Sequence, residues 1–281
     1  MQQSFEVTGP VRLDVHLASG LIEIEPSLDG HVEVELIAHD SESQQLVDAA
    51  RVELRGSGER PEVVVDVPAR PKSWSLGNLL GRQTISCRIQ CPAGSDLKTR
   101  TKSADVRVRG TLGEVDIATA SGDIAIADTL GDVSIKSASG DLTAGSIGGR
   151  ATANTASGDV RIESVAGPVI ANTASGDVEI QSAGSDVRAN TASGDTNIGA
   201  VVSGSVVVNA ASGDARIGVR RGSRVHLDCS TISGDARSEL ELGTDEPDGD
   251  GPFVELKART ASGDITITRA PALAEAQEVN A

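Results

Sequence analysis

Short runs in which every second residue is apolar recur along most of the chain. Ile124 and Ile126 form one such pair, and Val178 and Ile180 form another. A period of two is typical of a β-strand with one buried face. Gly, Ser and Asp, which favour turns, bound most of these runs. The pattern therefore predicts an all-β protein made of many short strands.

The tripeptide Ser-Gly-Asp repeats at a nearly constant spacing. It begins at Ser121, Ser139, Ser157, Ser175, Ser193, Ser212, Ser233 and Ser262, with successive steps of 18, 18, 18, 18, 19, 21 and 29 residues. Strands this short cannot return as hairpins and keep one register over so many copies, whereas a coil stacks equivalent residues about 4.8 Å apart. The repeat therefore predicts a single-stranded parallel β-helix, or β-solenoid, of about 18 residues per coil, with successive coils stacked in register.

The rest of the chain divides around this repeat. Residues 1–97 alternate less regularly and predict an N-terminal β section that caps the stack, with one short helix at residues 43–50. The β-solenoid is assigned to residues 98–270, with a loop insertion at residues 243–252 within the 29-residue step. Residues 68–82 are predicted to form a loop, and residues 271–281, which lack alternation, a mobile tail.

The repeat and its flanking motifs resemble a known family. Cys-Pro-Ala-Gly-Ser at residues 91–95 leads into the first coil, and the last repeat ends in Thr-Arg-Ala at residues 268–270. Thr-Ala-Ser-Gly-Asp recurs at residues 119–123, 155–159, 173–177, 191–195 and 260–264. These motifs are similar to those of bacterial β-strand-repeat proteins known as domain of unknown function 4097 and labelled "putative adhesins". The resemblance covers nearly the whole chain. It implies a parallel β-helix, broadly similar to the bactofilin solenoids, and brings no established activity or catalytic residues.

The charge balance and the apolar content of the chain exclude some classes of partner. The chain carries 41 acidic and 25 basic side chains, a formal charge of −16, and only three aromatic residues. Nucleic acids and anionic membranes are bound through a basic footprint, which this balance opposes. No apolar run approaches the ~20 residues that span a bilayer. We therefore expect neither a nucleic-acid partner nor a membrane span.

The cysteines and the first residues indicate a cytoplasmic location. Three cysteines are an odd number and too few for a disulfide framework, which favours a reducing compartment. The segment that begins at Met1 lacks the basic and apolar regions of a signal peptide. We therefore expect the protein to reside in the cytoplasm.

A column of aspartates is the feature of the sequence that most resembles a functional site. The aspartates of successive repeats, among them Asp141, Asp159, Asp177 and Asp195, are expected to lie in one row along the solenoid. A cation could bind along such a row, but the Gly-Gly-x-Gly-x-Asp pattern of calcium-binding repeats is absent. Asp beside Gly favours a corner in which the side chain bonds to the backbone. We therefore predict corner-forming residues that present an interaction surface, and neither a metal nor a cofactor.

A basic segment in this otherwise acidic chain and a tryptophan give two more candidate interaction surfaces. Residues 98–110 carry Asp105 and five basic side chains, which are Lys98, Arg100, Lys102, Arg107 and Arg109. Several of these share an outer face in strand alternation, where they either balance neighbouring acids or dock an acidic surface such as another copy's Asp row. Trp74 lies in a predicted loop with Leu and Arg, and Trp and Arg are frequent in interface hot spots. That loop either contacts a partner or covers an end of the solenoid.

The other residues that could bind a metal or take part in catalysis are better explained by structural roles. Cys87 and Cys91 lie about 13 Å apart on a strand, beyond the ~7 Å limit for a disulfide, and share an inward face with Ile85 and Ile89. The acidic loop at residues 245–250 lacks the first and last ligands of an EF-hand. The four histidines show neither zinc nor catalytic-triad spacing.

These observations favour a non-enzymatic scaffold or protein-interaction module, a rigid β-solenoid that binds a protein partner or associates with itself. Uncapped terminal coils would offer unpaired strand edges, which promote self-association. Two alternatives stay open. A carbohydrate-active β-helix enzyme would need two or three differentiated carboxylates in a cleft. An acidic mimic of DNA would bind a basic nucleic-acid enzyme through its charge.

Overall fold

Two compact units, residues 1–141 and 142–281, make up the chain. The computed structural model describes residues 1–27, 30–56, 58, 60–69, 85–240 and 251–270. The predicted loop at residues 68–82 and the insertion at residues 243–252 lie mostly outside these described residues. The predicted tail at residues 271–281 lies wholly outside them.

The described part of each unit is built almost entirely from strands. The first unit contains α1 (Ser41–Asp48), β1 (Gln2–Glu6), β2 (Arg12–Ser27), β3 (His31–Ala38), β4 (Arg51–Arg55), β5 (Glu62–Asp66), β6 (Ile85–Pro92), β7 (Asp96–Leu112), β8 (Val115–Ser121), β9 (Ile124–Thr129) and β10 (Val133–Ser139). The second unit contains β11 (Leu142–Ile147), β12 (Ala151–Ser157), β13 (Val160–Val165), β14 (Val169–Ser175), β15 (Val178–Ala183), β16 (Val187–Ser193), β17 (Thr196–Val201), β18 (Gly204–Ser212), β19 (Ala215–Val219), β20 (Arg224–Ser233), β21 (Ala236–Ser238), β22 (Phe253–Ser262) and β23 (Ile265–Arg269).

Each coil of the second unit consists of two strands joined by a Ser-Gly-Asp corner. The strands before the corner stack in parallel, as β12 does on β14 and β14 on β16. The strands after the corner stack in the same way, so that Val160 lies beside Val178 and Ile162 beside Ile180. These partners are 18 residues apart, which confirms the predicted β-solenoid.

The alternating apolar residues of both strands form the core of this unit. Val178 and Ile180 of β15 and Ala189 of β16 have 0% of their surface exposed. Full burial of a side chain the size of Val or Ile contributes roughly 1.5–3 kcal/mol. Small and branched side chains of this kind fill the thin interior of each coil, so the core needs no large rings.

The last coil of the second unit is not stacked in chain order. β22 pairs with β18 on one side and with β20 on the other. β23 likewise lies between β19 and β21. The coil formed by β22 and β23 is therefore inserted beneath the coil that precedes it in sequence. Residues 239–252, which join β21 to β22, are numerous enough to cross one coil step of about 4.8 Å.

A similar insertion occurs in the first unit. β2 pairs in parallel with β7 on one side and with β5 and β6 on the other. Antiparallel strands extend this second side, because β3 pairs with β6, β1 with β3, and β4 with β5. Strands β3 to β6 thus lie on the side of β2 that faces away from β7.

Helix α1 begins two residues before the predicted segment. Its N-cap is Asp40, whose carboxylate accepts a hydrogen bond from the backbone N–H of Ser43 at 2.6 Å. A side-chain acceptor at this position satisfies an otherwise unpaired N–H of the first turn. Leu46 and Val47 are buried and attach the helix to the unit. The prediction of one short helix is confirmed.

The Cys-Pro-Ala-Gly-Ser segment forms a buried junction between β6 and β7. Ser95 has 0% of its surface exposed. Its hydroxyl donates a hydrogen bond to the carbonyl oxygen of Pro92 at 2.6 Å and accepts one from the backbone N–H of Val11 at 3.0 Å. Residues 84 apart in sequence are thereby joined. The motif that carried the family resemblance has a structural role in this turn.

Candidate functional site

The aspartates of the Ser-Gly-Asp corners form a hydrogen-bonded ladder within each unit. In the second unit, Oδ1 of Asp159 accepts a hydrogen bond from the backbone N–H of Asp177 at 2.9 Å. Oδ1 of Asp177 accepts in the same way from Asp195 at 2.8 Å. In the first unit, Oδ1 of Asp123 accepts from the backbone N–H of Asp141 at 3.0 Å. Each of these carboxylates therefore holds the corner of the adjacent coil.

The glycine of each corner is required by the close approach of adjacent coils. Gly194 has a φ of +139°, and a Cβ built there would lie 2.1 Å from the carbonyl oxygen of Gly176. A positive φ is rarely adopted by residues with a Cβ, and the separation is far below van der Waals contact. A side chain at this position would push adjacent coils apart and break the ladder beside it.

The ladder also lowers the pKa of one of its carboxylates, that of Asp159. The pKa of Asp159 is lowered, first because the carboxylate accepts the backbone N–H of Asp177 and further because Arg161 donates to it. Arg161 lies 2.6 Å from Oδ2 of Asp159. A lowered pKa favours the charged form, whereas a general acid at neutral pH needs a raised one. Asp159 is therefore suited to electrostatic and structural work rather than to proton donation.

The five basic residues of β7 lie on both sides of a corner at residues 103–105. Before the corner, β7 pairs with β8, and after it β7 pairs with β9. The first segment carries Lys98, Arg100 and Lys102, and the second carries Arg107 and Arg109. The five side chains thus divide between two faces of the first unit.

The first three basic residues have acidic and basic neighbours. Lys98 lies between Asp14 of β2 and Asp116 of β8 in the strand register. Arg100 lies beside His16 of β2. Arg100 and Lys102 are both exposed, so this face offers a small basic surface.

Arg109 lies in a charged groove of about 380 Å³ on the first unit. The groove is lined by Glu23, Glu25, Glu33, Glu35, Arg88, Ile89, Gln90 and Arg109. Four carboxylates and two guanidinium groups give this lining a formal charge of −2. Of the sequence-predicted interaction residues, Arg109 is brought into this groove. We call this pocket-shaped surface the Glu groove.

Ion pairs fix the floor of the Glu groove. Arg109 donates to Glu25 at 2.8 Å and to Glu23 at 3.3 Å, and Arg88 donates to Glu23 at 3.2 Å. The Glu23 side chain is 14% exposed, whereas those of Glu25 and Glu35 are 50% and 44% exposed. The least exposed acid, Glu23, is thus held by two arginines, whereas Glu25 and Glu35 are about half exposed.

The acids of the Glu groove are not among the interaction residues predicted from the sequence. Glu23 and Glu25 alternate with buried residues of β2, and Glu33 and Glu35 alternate with buried residues of β3. This spacing places each pair on one outer face, a signal that the sequence does contain. β6 lies between these strands and brings the pairs to opposite sides of Arg88.

The buried cysteines are inert thiols. Burial raises the pKa of Cys87 to about 12 and that of Cys91 to about 11. All three cysteines are free, and the described residues contain no group of three His, Cys, Asp or Glu side chains arranged to hold a metal ion. No described helix has the length and hydrophobicity to cross a membrane. Trp74 and the acidic loop at residues 245–250 lie outside the described residues.

The fold and its ladder define a β-solenoid repeat protein. Residues 11–268 match the model of the Toastrack DUF4097 family, and the chain belongs to that family. The resemblance given by the repeat motifs is thereby confirmed.

Comparison with known proteins adds distant structural similarity. A Bacteroides fragilis NCTC 9343 protein described as a "putative adhesin" is 13% identical, with a TM-score of 0.41, over 95% of this chain and 96% of its own. A "putative adhesin" of Parabacteroides distasonis ATCC 8503 is also 13% identical, with a TM-score of 0.42, over 95% of this chain and 96% of its own. These scores are too low to support a function. No curated protein matches the chain.

Proposed function

We propose that this protein is a non-enzymatic interaction module whose Glu groove receives a basic segment of a protein partner. The observation that carries the proposal is the groove itself, a concave surface with a formal charge of −2 in which Glu25 and Glu35 each pair with one arginine and stay about half exposed. A groove with excess negative charge attracts Lys and Arg side chains and orients them. Arg88 and Arg109 each pair with two of these acids and so reduce the repulsion between them.

The aspartate ladder supports a scaffold role over catalysis. Asp159 and Asp177 each use one carboxylate oxygen to accept a hydrogen bond from the next coil. The pKa of Asp159 is lowered rather than raised. A carbohydrate-active enzyme would use a pair of carboxyl groups, one of them with a raised pKa. The ladder repeats one environment along the unit, and so favours a rigid support for the interaction surfaces.

The groove proposal is tested with a fluorescent peptide of alternating Lys and Gly. Its binding is measured by fluorescence anisotropy at low and at 0.15 M salt, where screening begins to weaken exposed charge pairs. We expect Glu33→Gln combined with Glu35→Gln to weaken binding at least fivefold. Glu163→Gln, an exposed acid on β13 in the second unit, serves as the matched control and should bind as the unmodified protein does. Equal affinity of all three proteins, or no binding at low salt, would contradict the proposal.

We also propose a cytoplasmic location for the module. Cys87 and Cys91 are free and buried, which suits a compartment that keeps thiols reduced. Fractionation of the source cells followed by immunoblotting should recover the protein with cytoplasmic markers. Recovery with envelope or secreted fractions would reject this location.

A further inference from the structure

The outer edge of β20 in the second unit is open among the described strands. β20 pairs in register with β22 on one side only. Arg224, its first residue, donates its backbone N–H to Pro252 on that side at 2.9 Å. Because backbone groups alternate in direction along a strand, those of Val225, Leu227 and Cys229 point away from β22. No strand among the described residues pairs with these donors and acceptors, so they are available to an incoming strand.

The core layer of this outermost coil is also incomplete. Val254 and Leu256 of β22 have 0% of their surface exposed. Val225 and Leu227, their neighbours in β20, are only half-buried although they face the same interior. An added strand would complete the hydrogen bonds of this edge and cover its apolar side chains.

We propose that this edge binds a second copy of the chain, with the two β20 strands antiparallel about a twofold axis at Leu227. Val225 then lies opposite Cys229 of the partner subunit, and these residues and Leu227 form the hydrogen-bonded pairs of the new ladder. His226 lies opposite Asp228 of the partner subunit at the closer, non-hydrogen-bonded position. The twofold axis makes the Val225–Cys229 and His226–Asp228 contacts twice and pairs Leu227 with its own copy on the axis, and twofold symmetry is usual in homodimers.

The charge pattern selects this register over its neighbours. Moving the axis to Asp228 places that carboxylate opposite its own copy, and like charges directly opposite are destabilising. Moving it to His226 brings Arg224 opposite Asp228, but it places two histidines opposite each other at the centre and leaves the backbone groups of Cys229 without a strand partner, because residue 223 lies outside β20. With the axis at Leu227, His226 lies opposite Asp228 twice, and the two Leu227 side chains lie opposite each other at the centre.

This inference goes beyond the proposed function, because it concerns a different surface, in the other unit. Failure of peptide binding at the Glu groove would leave the β20 edge untouched, and failure of self-association would leave the groove untouched. The two experiments therefore fail separately.

The test uses cysteine cross-linking of the full chain. Val225→Cys places a thiol opposite native Cys229 of the partner subunit, at about 5.5 Å between Cα atoms, within the range for a disulfide. The same two positions within one chain are about 13 Å apart and cannot bond to each other. Ser230→Cys and the unmodified chain are the matched controls. The thiol of Ser230→Cys lies on the other face of β20 from Cys229 and opposite Arg224 of the partner subunit, and two copies of Cys229 meet only in another register.

After mild oxidation, we expect a covalent dimer of Val225→Cys that disappears on reduction, at least tenfold more abundant than for either control. Light scattering of the unmodified protein should show a mass that rises toward twice that of one chain as concentration increases. A strictly monomeric protein without cross-links would overturn the proposal. Cross-linking of Ser230→Cys or of the unmodified chain to the same extent as Val225→Cys would overturn the register. Circular dichroism of the reduced variants confirms that they fold.

Discussion

Oδ1 of Asp177 lies 2.8 Å from the backbone nitrogen of Asp195, and this contact joins two corners that are 18 residues apart. The same contact links Asp195 to Asp214 at 2.8 Å. The carboxylates that look most like catalytic groups in the sequence are therefore the acceptors that fix one coil on the next. The repeat of Ser-Gly-Asp is explained by this bond and by the glycine before it.

Replacing Asp177 should weaken the second unit measurably. Asp177→Ala leaves the backbone N–H of Asp195 without its acceptor, and the net value of one hydrogen bond is about 0.5–1.5 kcal/mol. Asp177→Asn keeps an acceptor oxygen and should lose less. Urea denaturation followed by circular dichroism measures both, and Glu163→Ala, on the exposed face of β13, should stay within about 0.5 kcal/mol of the unmodified protein. Equal stability of Asp177→Ala and Glu163→Ala would reject the ladder's contribution.

The ladder predicts a pH dependence of stability. The pKa of Asp159 in the folded protein is below its ordinary value of 3.8, because its carboxylate accepts the backbone N–H of Asp177. A lowered folded-state pKa stabilises the fold at pH values above about 4, and this contribution is lost as the pH falls through the folded-state pKa. We expect the free energy of unfolding to fall less steeply below pH 4 in Asp159→Asn than in the unmodified protein. Parallel curves for the two proteins would show that Asp159 makes no such contribution.

A corner glycine should tolerate no side chain. Gly194→Ala would place a Cβ 2.1 Å from the carbonyl oxygen of Gly176 at a positive φ, and we expect a loss on the order of 3 kcal/mol or more. Gly9→Ala is the matched control, because no atom lies within 4 Å of the added Cβ. Denaturation midpoints of the two variants provide the comparison, and a low soluble yield of Gly194→Ala alone counts in favour. Similar stability of the two variants would contradict the close packing of the corners.

The thiols should differ in reactivity. The pKa of Cys87 is raised to about 12 and that of Cys91 to about 11 by burial, whereas Cys229 is only half-buried. Because the thiolate is the reactive form, Ellman's reagent at pH 8 should modify Cys229 first and reach all three only after denaturation. Modification of Cys87 in the folded protein at the rate of Cys229 would contradict the buried position of β6.

The sequence predicts the coil correctly because identical spacing produces identical surroundings. Each 18-residue step returns an apolar pair such as Val160 and Ile162 to the same interior, and it returns Asp159 to the same corner. The interior pattern, the glycine corner and the short helix all follow from local signals of this kind.

The stacking order and the Glu groove depend on long-range pairing that spacing does not encode. Val254 and Leu256 alternate with polar residues in β22, as apolar residues do in every coil of the stack. The sequence therefore does not reveal that β22 lies between β18 and β20. The groove likewise needs β6 to separate β2 from β3, and β3 is antiparallel to β6. Glu23 and Glu35 therefore approach Arg88 only through the final pairing.

The order of the last coils is the most direct test of this account, because it places β20 at the edge. Ser262 lies beside both Ser212 and Ser233 in the strand register, about 4.8 Å from each, whereas Ser212 and Ser233 are about 10 Å apart, beyond the ~7 Å limit for a disulfide. In a Cys229→Ser background, Ser212→Cys with Ser262→Cys should form an intramolecular disulfide on oxidation, detected by mass spectrometry. Ser212→Cys with Ser233→Cys should not. A disulfide in the second pair but not in the first would show that the coils stack in chain order and would contradict the account.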